Sequence, residues 1–377
     1  MKVGIPKEIT AEERRVAATP ETVGKMIKKG FEVLVQSDAG EESFISNNDY
    51  EKAGATIRTN AASLYSEADI ILKVQKPTQN KEEGKHEVQM AKEGSVVIAF
   101  LQPATNLDLI QQMSSKKISA FSMELIPRIT RAQNMDALSS MANIAGYKSV
   151  IEAANAFSKF FPLLMTAAGT VTPAKVLILG AGVAGLQAIA TAKRLGAVVQ
   201  AFDTRPIVKE QVESLGADFI DMGVTHEEAQ DSGGYAKELS KEFYQKEKEV
   251  IHKNVKNSDI IITTAQIPGK PAPLLITEEM VKDMKPGSVI VDLAVEQGGN
   301  CALSEVGKVV TKYGVTIIGK VNVPSLLSVH ASQLYARNLA NLLFHLFPKQ
   351  DAILNLEDEI TSSSLVTHEG KVRYPPT

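Results

Sequence analysis

Residues 176–203, VLILGAGVAGLQAIATAKRLGAVVQAFD, constrain the fold more than any other part of the chain. They read as an apolar strand, a glycine turn, a helix and a second strand ending in an acid. Gly180, Gly182 and Gly185 form G-x-G-x-x-G directly after Val176–Leu179, where the turn is tight and the backbone must approach a pyrophosphate closely. A side chain at Gly182 would block that approach. Val183 and Ala184 open the helix, whose unpaired N–H groups and positive dipole end favour an anion without any lysine. Asp203 ends the next strand, where a carboxylate accepts hydrogen bonds from ribose hydroxyls. At an effective dielectric near 20, a 2′-phosphate about 4 Å away would be opposed by roughly 4 kcal/mol per unit charge, which favours NAD over NADP. Thr204 and Arg205 follow the acid, and Arg205 could soften that preference. Alone, the glycine pattern also describes an ordinary turn in an α/β core; strand, helix, second strand and terminal acid together point to a dinucleotide.

The remaining pattern is α/β throughout. Short apolar runs at Val3–Ile5, Phe31–Val35, Ile70–Val74, Val96–Phe100 and Ile118–Phe121 look like buried parallel strands joined by crossovers. Thr19-Pro20 starts a helix that closes at Gly30. This half has no phosphate fingerprint. After the fingerprint, Asp218–Ile220, Asp259–Thr263, Ser288–Ala294 and Val315–Gly319 complete an expected six-strand nucleotide-binding sheet. The fold class is therefore α/β, with two doubly wound parallel-sheet, Rossmann-like domains and a cleft between them. The first is expected to span 1–136 and 329–377, with helices returning at the C-terminal end through the stripe Leu339, Leu342, Leu343 and Leu346. The second spans 137–328, entered through a helix reaching Phe160 and the loop AAGTVTPAK. Residues 223–257 interrupt it. Gly233-Gly234 beside Tyr235 predict a mobile first half near 223–240, and the periodicity of Ala236–Val250 predicts a helix.

Composition narrows the function. Lys plus Arg number 41 against 44 for Asp plus Glu, and a net charge of -3 leaves no electrostatic footprint for nucleic acid or an anionic membrane surface. Cys301 is the one cysteine, which fits a reducing compartment and excludes an internal disulfide. The start MKVGIPKEITAEERR lacks the apolar stretch of a signal peptide, and no run reaches the ~20 apolar residues that span a bilayer. His330 and the other histidines have no partners at metal-ligand spacing, so no metal is expected.

From MKVGIPKE through DLAVEQGGN the chain resembles the superfamily of alanine dehydrogenase and the NAD(H)-binding component of proton-translocating nicotinamide nucleotide transhydrogenase. Two positions separate these relatives. Alanine dehydrogenases carry a lysine in a motif like KVKEP and a histidine in one like YLHLA. The matching segments here are KVQKP and FLQPA, which place Gln75 and Gln102 at those positions. An amide does not titrate in the working range and cannot act as general acid or base. Lys73 and Lys76 flank the first site, but a one-residue shift along a strand turns a side chain to the opposite face. Hydride transfer between two nicotinamide rings needs no such pair, because no proton moves to or from a heteroatom; positioning is the task.

By the resemblance, RITRAQNMD is the loop that contacts the nicotinamide side, through Arg128, Gln133 and Asp136. A carboxamide offers an acceptor suited to Arg128 and a donor pair suited to Asp136. If the stretch is helical, Gln133 and Asp136 share a face; read without the resemblance, it is a helix start rich in capping side chains. Ser139 matches a family cofactor contact, Tyr235 a tyrosine on a mobile closing loop, Asp203 the ribose acid, and TTAQIPGKPAP, with Gln266, a loop lining the ribose and nicotinamide.

The implied activity is hydride transfer between NADH bound here and NADP(H) held by a partner beta subunit, coupled to proton translocation by membrane-spanning subunits. The implied location is cytoplasmic, at the inner face of the cytoplasmic membrane through those subunits, as a homodimer. Two other readings stay open: a free-standing dehydrogenase like alanine dehydrogenase, which would need Lys73 or Lys76 to replace the lost group, and a non-catalytic NAD sensor.

Overall fold

A computed structural model describes residues 1–222, 241–267, 270–349 and 354–375. The chain divides into two units, Met1–Met141 with Pro324–Thr377, and Ala142–Val323, so the division falls inside the long helix Ala137–Ala156.

In the first unit the sheet has eight strands. Its parallel part runs in the order Thr56–Arg58, Glu32–Gln36, Lys2–Ile5, Ile70–Leu72, Val96–Ala99, Ser119–Ser122. The five apolar runs are all strands, and they are buried because helices cover a parallel sheet. The helix Pro20–Lys28 starts at Thr19 with a capping box and proline in its first turn, and the chain leaves it through Gly30 at φ 90. The C-terminal segment corrects an expectation. Helix Ser328–Leu346 buries the leucine stripe as expected, but after the short helix Glu359–Ser364 the chain adds two strands, Leu365–His368 and Lys371–Val372. The former pairs antiparallel with Ser119–Ser122 and caps that edge of the sheet.

In the second unit seven strands follow the order Asp218–Phe219, Val198–Phe202, Lys175–Leu179, Ile260–Thr263, Val289–Asp292, Val315–Gly319, Lys308–Lys312. All are parallel except the last, an antiparallel edge strand that makes seven where six were expected. Its sequence KVVTK faces solvent at most positions and carries no buried run to betray it. The core pairs Val176, Ile178, Ile260, Ile262, Val289 and Val291 with the helices on one face, and Leu177, Ile261 and Ile290 pack against helix Lys241–Asn257 and its neighbours on the other. Within the stretch read as the loop AAGTVTPAK, Gly169–Val171 pairs with Leu164–Thr166 as a small antiparallel hairpin.

Candidate nucleotide-binding site

In the second unit, successive strands lie on opposite sides of Lys175–Leu179, and the order reverses between that strand and Ile260–Thr263. Ligands of doubly wound sheets sit at such a switch point, outside the carboxyl ends of the strands. The glycine turn lies there. Gly180 leaves its strand at φ +98, and a Cβ on it would come 2.7 Å from the Thr264 hydroxyl. On Gly185 a Cβ would lie 1.8 Å from the Gly180 carbonyl oxygen, and on Gly146 it would lie 2.1 Å from the Ala184 oxygen. Packing within the chain explains all three glycines.

It does not explain Gly182. Its backbone, φ -73 and ψ -167, suits any residue, and among the described residues the nearest atom to an added Cβ is Arg205 Nη2 at 3.9 Å. The described residues leave room for a side chain there, and the chain carries none. Gly182 is also the N-cap of helix Val183–Arg194, which has no side-chain cap among the described residues, so its first-turn amides can donate to another partner. Ala184 is half-buried, and Val183, at the head of that helix, keeps 36% of its surface exposed, an apolar edge beside the turn.

Asp203 is tied to the turn: its Oδ2 accepts the Ala181 N–H at 2.7 Å. Arg205 folds back on the same carboxylate, donating its backbone N–H at 2.9 Å and Nε at 2.8 Å to Oδ1, and Nη2 at 2.8 Å to Oδ2. Thr204 lies half-buried between them. Glu247, buried on helix Lys241–Asn257, was not visible as a site residue in the sequence. Burial and then the charge of Asp203 push its carboxyl up to about 7.

The loop after Ile260–Thr263 is clamped from two sides. Thr264 donates its hydroxyl to the Gly180 oxygen at 2.9 Å. Asn300 accepts the Ala265 N–H at 3.0 Å and donates to the Ala265 and Pro273 carbonyls at 2.9 and 2.7 Å. Asp292 in turn accepts the Asn300 and Cys301 amides. Gln266 is exposed and donates to the Leu293 carbonyl at 2.9 Å. Asn300 was hidden in the sequence because its partners come from a distant loop.

Arg128, Gln133, Asp136 and Ser139 all belong to the first unit. Arg128 and Gln133 are exposed. Thr130–Met135 is a 3₁₀ helix rather than an α-helix, pinned where Asn338 and Asn341 each donate to the Asn134 carbonyl at 2.9 Å. Asp136 follows it and accepts both the backbone N–H and the hydroxyl of Ser139, at 2.8 and 2.6 Å. Tyr235 and Gly233-Gly234 lie outside the described residues.

The first unit's own switch point, between Lys2–Ile5 and Ile70–Leu72, holds ion pairs. Lys73 Nζ lies 2.9 Å from Glu87 and 3.3 Å from Glu8, with all three side chains buried. Burial pulls the lysine pKa down, but the two carboxylates outweigh it and the net direction is up, so Lys73 stays an ammonium. Burial pushes Glu8 up to about 7 against the pull of Lys73, and its Oε2 finds no aligned hydrogen bond. Arg15 grips Glu13 through Nε at 2.7 Å and Nη2 at 2.5 Å. Burial opposes ionisation of Glu13, yet Arg15 and then Gln75, donating at 2.7 Å, hold it down to about 2. Lys76 donates to Asn106 at 2.5 Å. Gln102 sits in the left-handed region at φ 50, its backbone N–H donating to Glu124.

Comparison with known proteins places the chain in a family. The family model "Alanine dehydrogenase/PNT, N-terminal domain" matches residues 4–145, and "Alanine dehydrogenase/PNT, C-terminal domain" matches 149–375. The chain is 53% identical to the first of the chains that make up NAD(P) transhydrogenase subunit alpha in Rhodospirillum rubrum, covering 100% of this chain and 98% of that one. It is 32% identical to alanine dehydrogenase 2 of Staphylococcus aureus over 90% of this chain and 88% of that one. Among solved structures, the transhydrogenase from Sinorhizobium meliloti matches with a TM-score of 0.88 at 47% identity, covering 99% of this chain and 100% of that one. An L-alanine dehydrogenase matches with 0.82 at 25%, covering 100% and 97%.

Proposed function

Because the chain belongs to the Alanine dehydrogenase/PNT family, we propose that it is the NAD(H)-binding component of a transhydrogenase, passing hydride between NADH and NADP+ held on a partner subunit. The observation that carries this reading is Gly182, a glycine that no contact among the described residues requires, at the head of an uncapped helix. Pyrophosphate fits that vacancy of side chain and those amides, and the ribose fits Asp203. When bound, NADH supplies the hydride. The chain's residues have to hold the ring in place: Arg128, Gln133 and Asp136 are assigned to its carboxamide side, with Ser139, Tyr235 and Gln266 as further contacts.

The amino-acid dehydrogenase alternative needs an acid–base side chain at the two positions where this chain carries amides. Gln75 and Gln102 are amides, Lys73 is locked between two carboxylates, and Lys76 is bonded to Asn106. The proposed reaction moves no proton to a heteroatom, so nothing is lost by that. Among the described residues no helix is long and apolar enough to cross a membrane. Proton translocation is therefore assigned to partner subunits, which would hold this chain, as a homodimer, at the cytoplasmic face of the membrane.

The test is to mix the purified chain with an NADP(H)-binding transhydrogenase component and follow reduction of a nicotinamide analogue. Transfer should require both proteins. NADH oxidation by this chain alone with pyruvate and ammonia would overturn the proposal, and so would NADH binding with no transfer in the presence of the partner.

A further inference from the structure

The acid expected to receive the ribose is already fully engaged. Among the described residues Asp203 accepts four hydrogen bonds, one from the Ala181 N–H and three from Arg205. A carboxylate offers about four acceptor positions. Two of the four donors are backbone amides, which fix the carboxylate to the glycine turn and to the start of the following loop. The other two are Nε and Nη2 of the Arg205 side chain, and these are the bonds that ribose hydroxyls would have to replace. The side chains of the pair are 16% and 6% exposed, so the guanidinium also shields the acid from water. Arg205 reaches towards the phosphate turn as well, since its Nη2 is the atom nearest a Cβ placed on Gly182.

We propose that Arg205 is a built-in competitor for the ribose site that sets how sharply the chain distinguishes NAD(H) from NADP(H). The inference rests on the nucleotide reading given above. With NADH, the 2′- and 3′-hydroxyls displace the guanidinium from Asp203, and part of the binding energy is consumed in breaking two charge-assisted bonds. With NADPH, the same guanidinium partly neutralises the acid and dulls the repulsion between it and the 2′-phosphate. The two effects have opposite signs. Removing the side chain should therefore favour NADH and disfavour NADPH, a pattern that a merely structural role would not produce.

Arg205→Ala leaves both backbone donors to Asp203 in place, so the acid keeps its position. Calorimetric titration of the intact chain should show NADH binding about tenfold tighter in Arg205→Ala than in wild type, the scale of one displaced charged hydrogen bond. NADPH should bind more weakly, or no better. Arg205→Lys, which keeps the charge without the fork, should fall between wild type and alanine for both nucleotides. In an Asp203→Asn background the gain for NADH should disappear. Unchanged thermal melting of Arg205→Ala, or a melting shift that Arg205→Lys does not share, ties the result to the ribose site. A folded Arg205→Ala that binds NADH no tighter than wild type overturns the inference alone, as does equal weakening for both nucleotides, which would make Arg205 a phosphate contact. A wild-type chain that binds no NADH overturns the nucleotide reading, and this inference with it.

Discussion

The two units place the same strand order around the same kind of switch point and fill it in opposite ways. In the second unit the crevice is lined by a glycine turn, an uncapped helix start and Asp203 with Arg205 folded onto it. In the first unit the corresponding ends, after Ile5 and Leu72, are packed with Glu8, Lys73 and Glu87, with Arg15, Glu13 and Gln75 beside them. The difference teaches that the doubly wound fold supplies a place for a ligand and the local residues decide whether one is admitted. Backbone amides with no Cβ above them suit an anion. In the first unit, buried charges pair with one another at that place.

The largest effect should come from the filled crevice. Lys73→Met strips two buried carboxylates of their cation and should cost about 3–5 kcal/mol in denaturant unfolding. A loss under about 1 kcal/mol would break the claim that charge pairing holds that switch point. On the glycine side, Gly185→Ala forces a Cβ into the Gly180 carbonyl at 1.8 Å and should cost roughly 3 kcal/mol. Wild-type stability in that variant would mean that the helix and turn can move apart, and the rigid cradle would be lost as an explanation.

Acidity sharpens the comparison further. Glu8, raised from 4.5 to about 7 in the folded chain, contributes stability that is complete below pH 4.5 and is lost as pH rises through 7. The unfolded chain then releases the proton more readily than the folded one. Across that window the stability difference between wild type and Glu8→Gln should shift by about 3 kcal/mol against wild type. Equal pH profiles for the two proteins would show that the buried cluster relaxes enough to solvate Glu8.

What the sequence made legible follows from what leaves a local pattern. Apolar runs marked the parallel strands, and the spacing of Gly180, Gly182 and Gly185 marked the turn, because each depends on neighbours within a few residues. Thr56–Arg58 and Lys308–Lys312 went unmarked because edge strands need no buried run, and Leu365–His368 because four residues are too few to separate from a helix end. Gln75 and Gln102 marked two positions where an amide cannot act as general acid or base. They could not reveal that Lys73 is locked, since Glu8 and Glu87 reach it only through the fold. Likewise Arg205 read as a neighbour of the acid, and only coordinates place its guanidinium on Asp203.

The smallest change in stability should accompany the most informative loss of binding. Gly182→Ala meets no atom of the described residues closer than 3.9 Å and keeps an unstrained backbone, so unfolding should shift by less than about 1 kcal/mol. Titrating NADH into wild type and Gly182→Ala under the same conditions tests whether that open position is kept for a pyrophosphate. The expected result is a folded variant whose affinity falls at least about tenfold; a variant that binds NADH as wild type does would contradict that role for the turn.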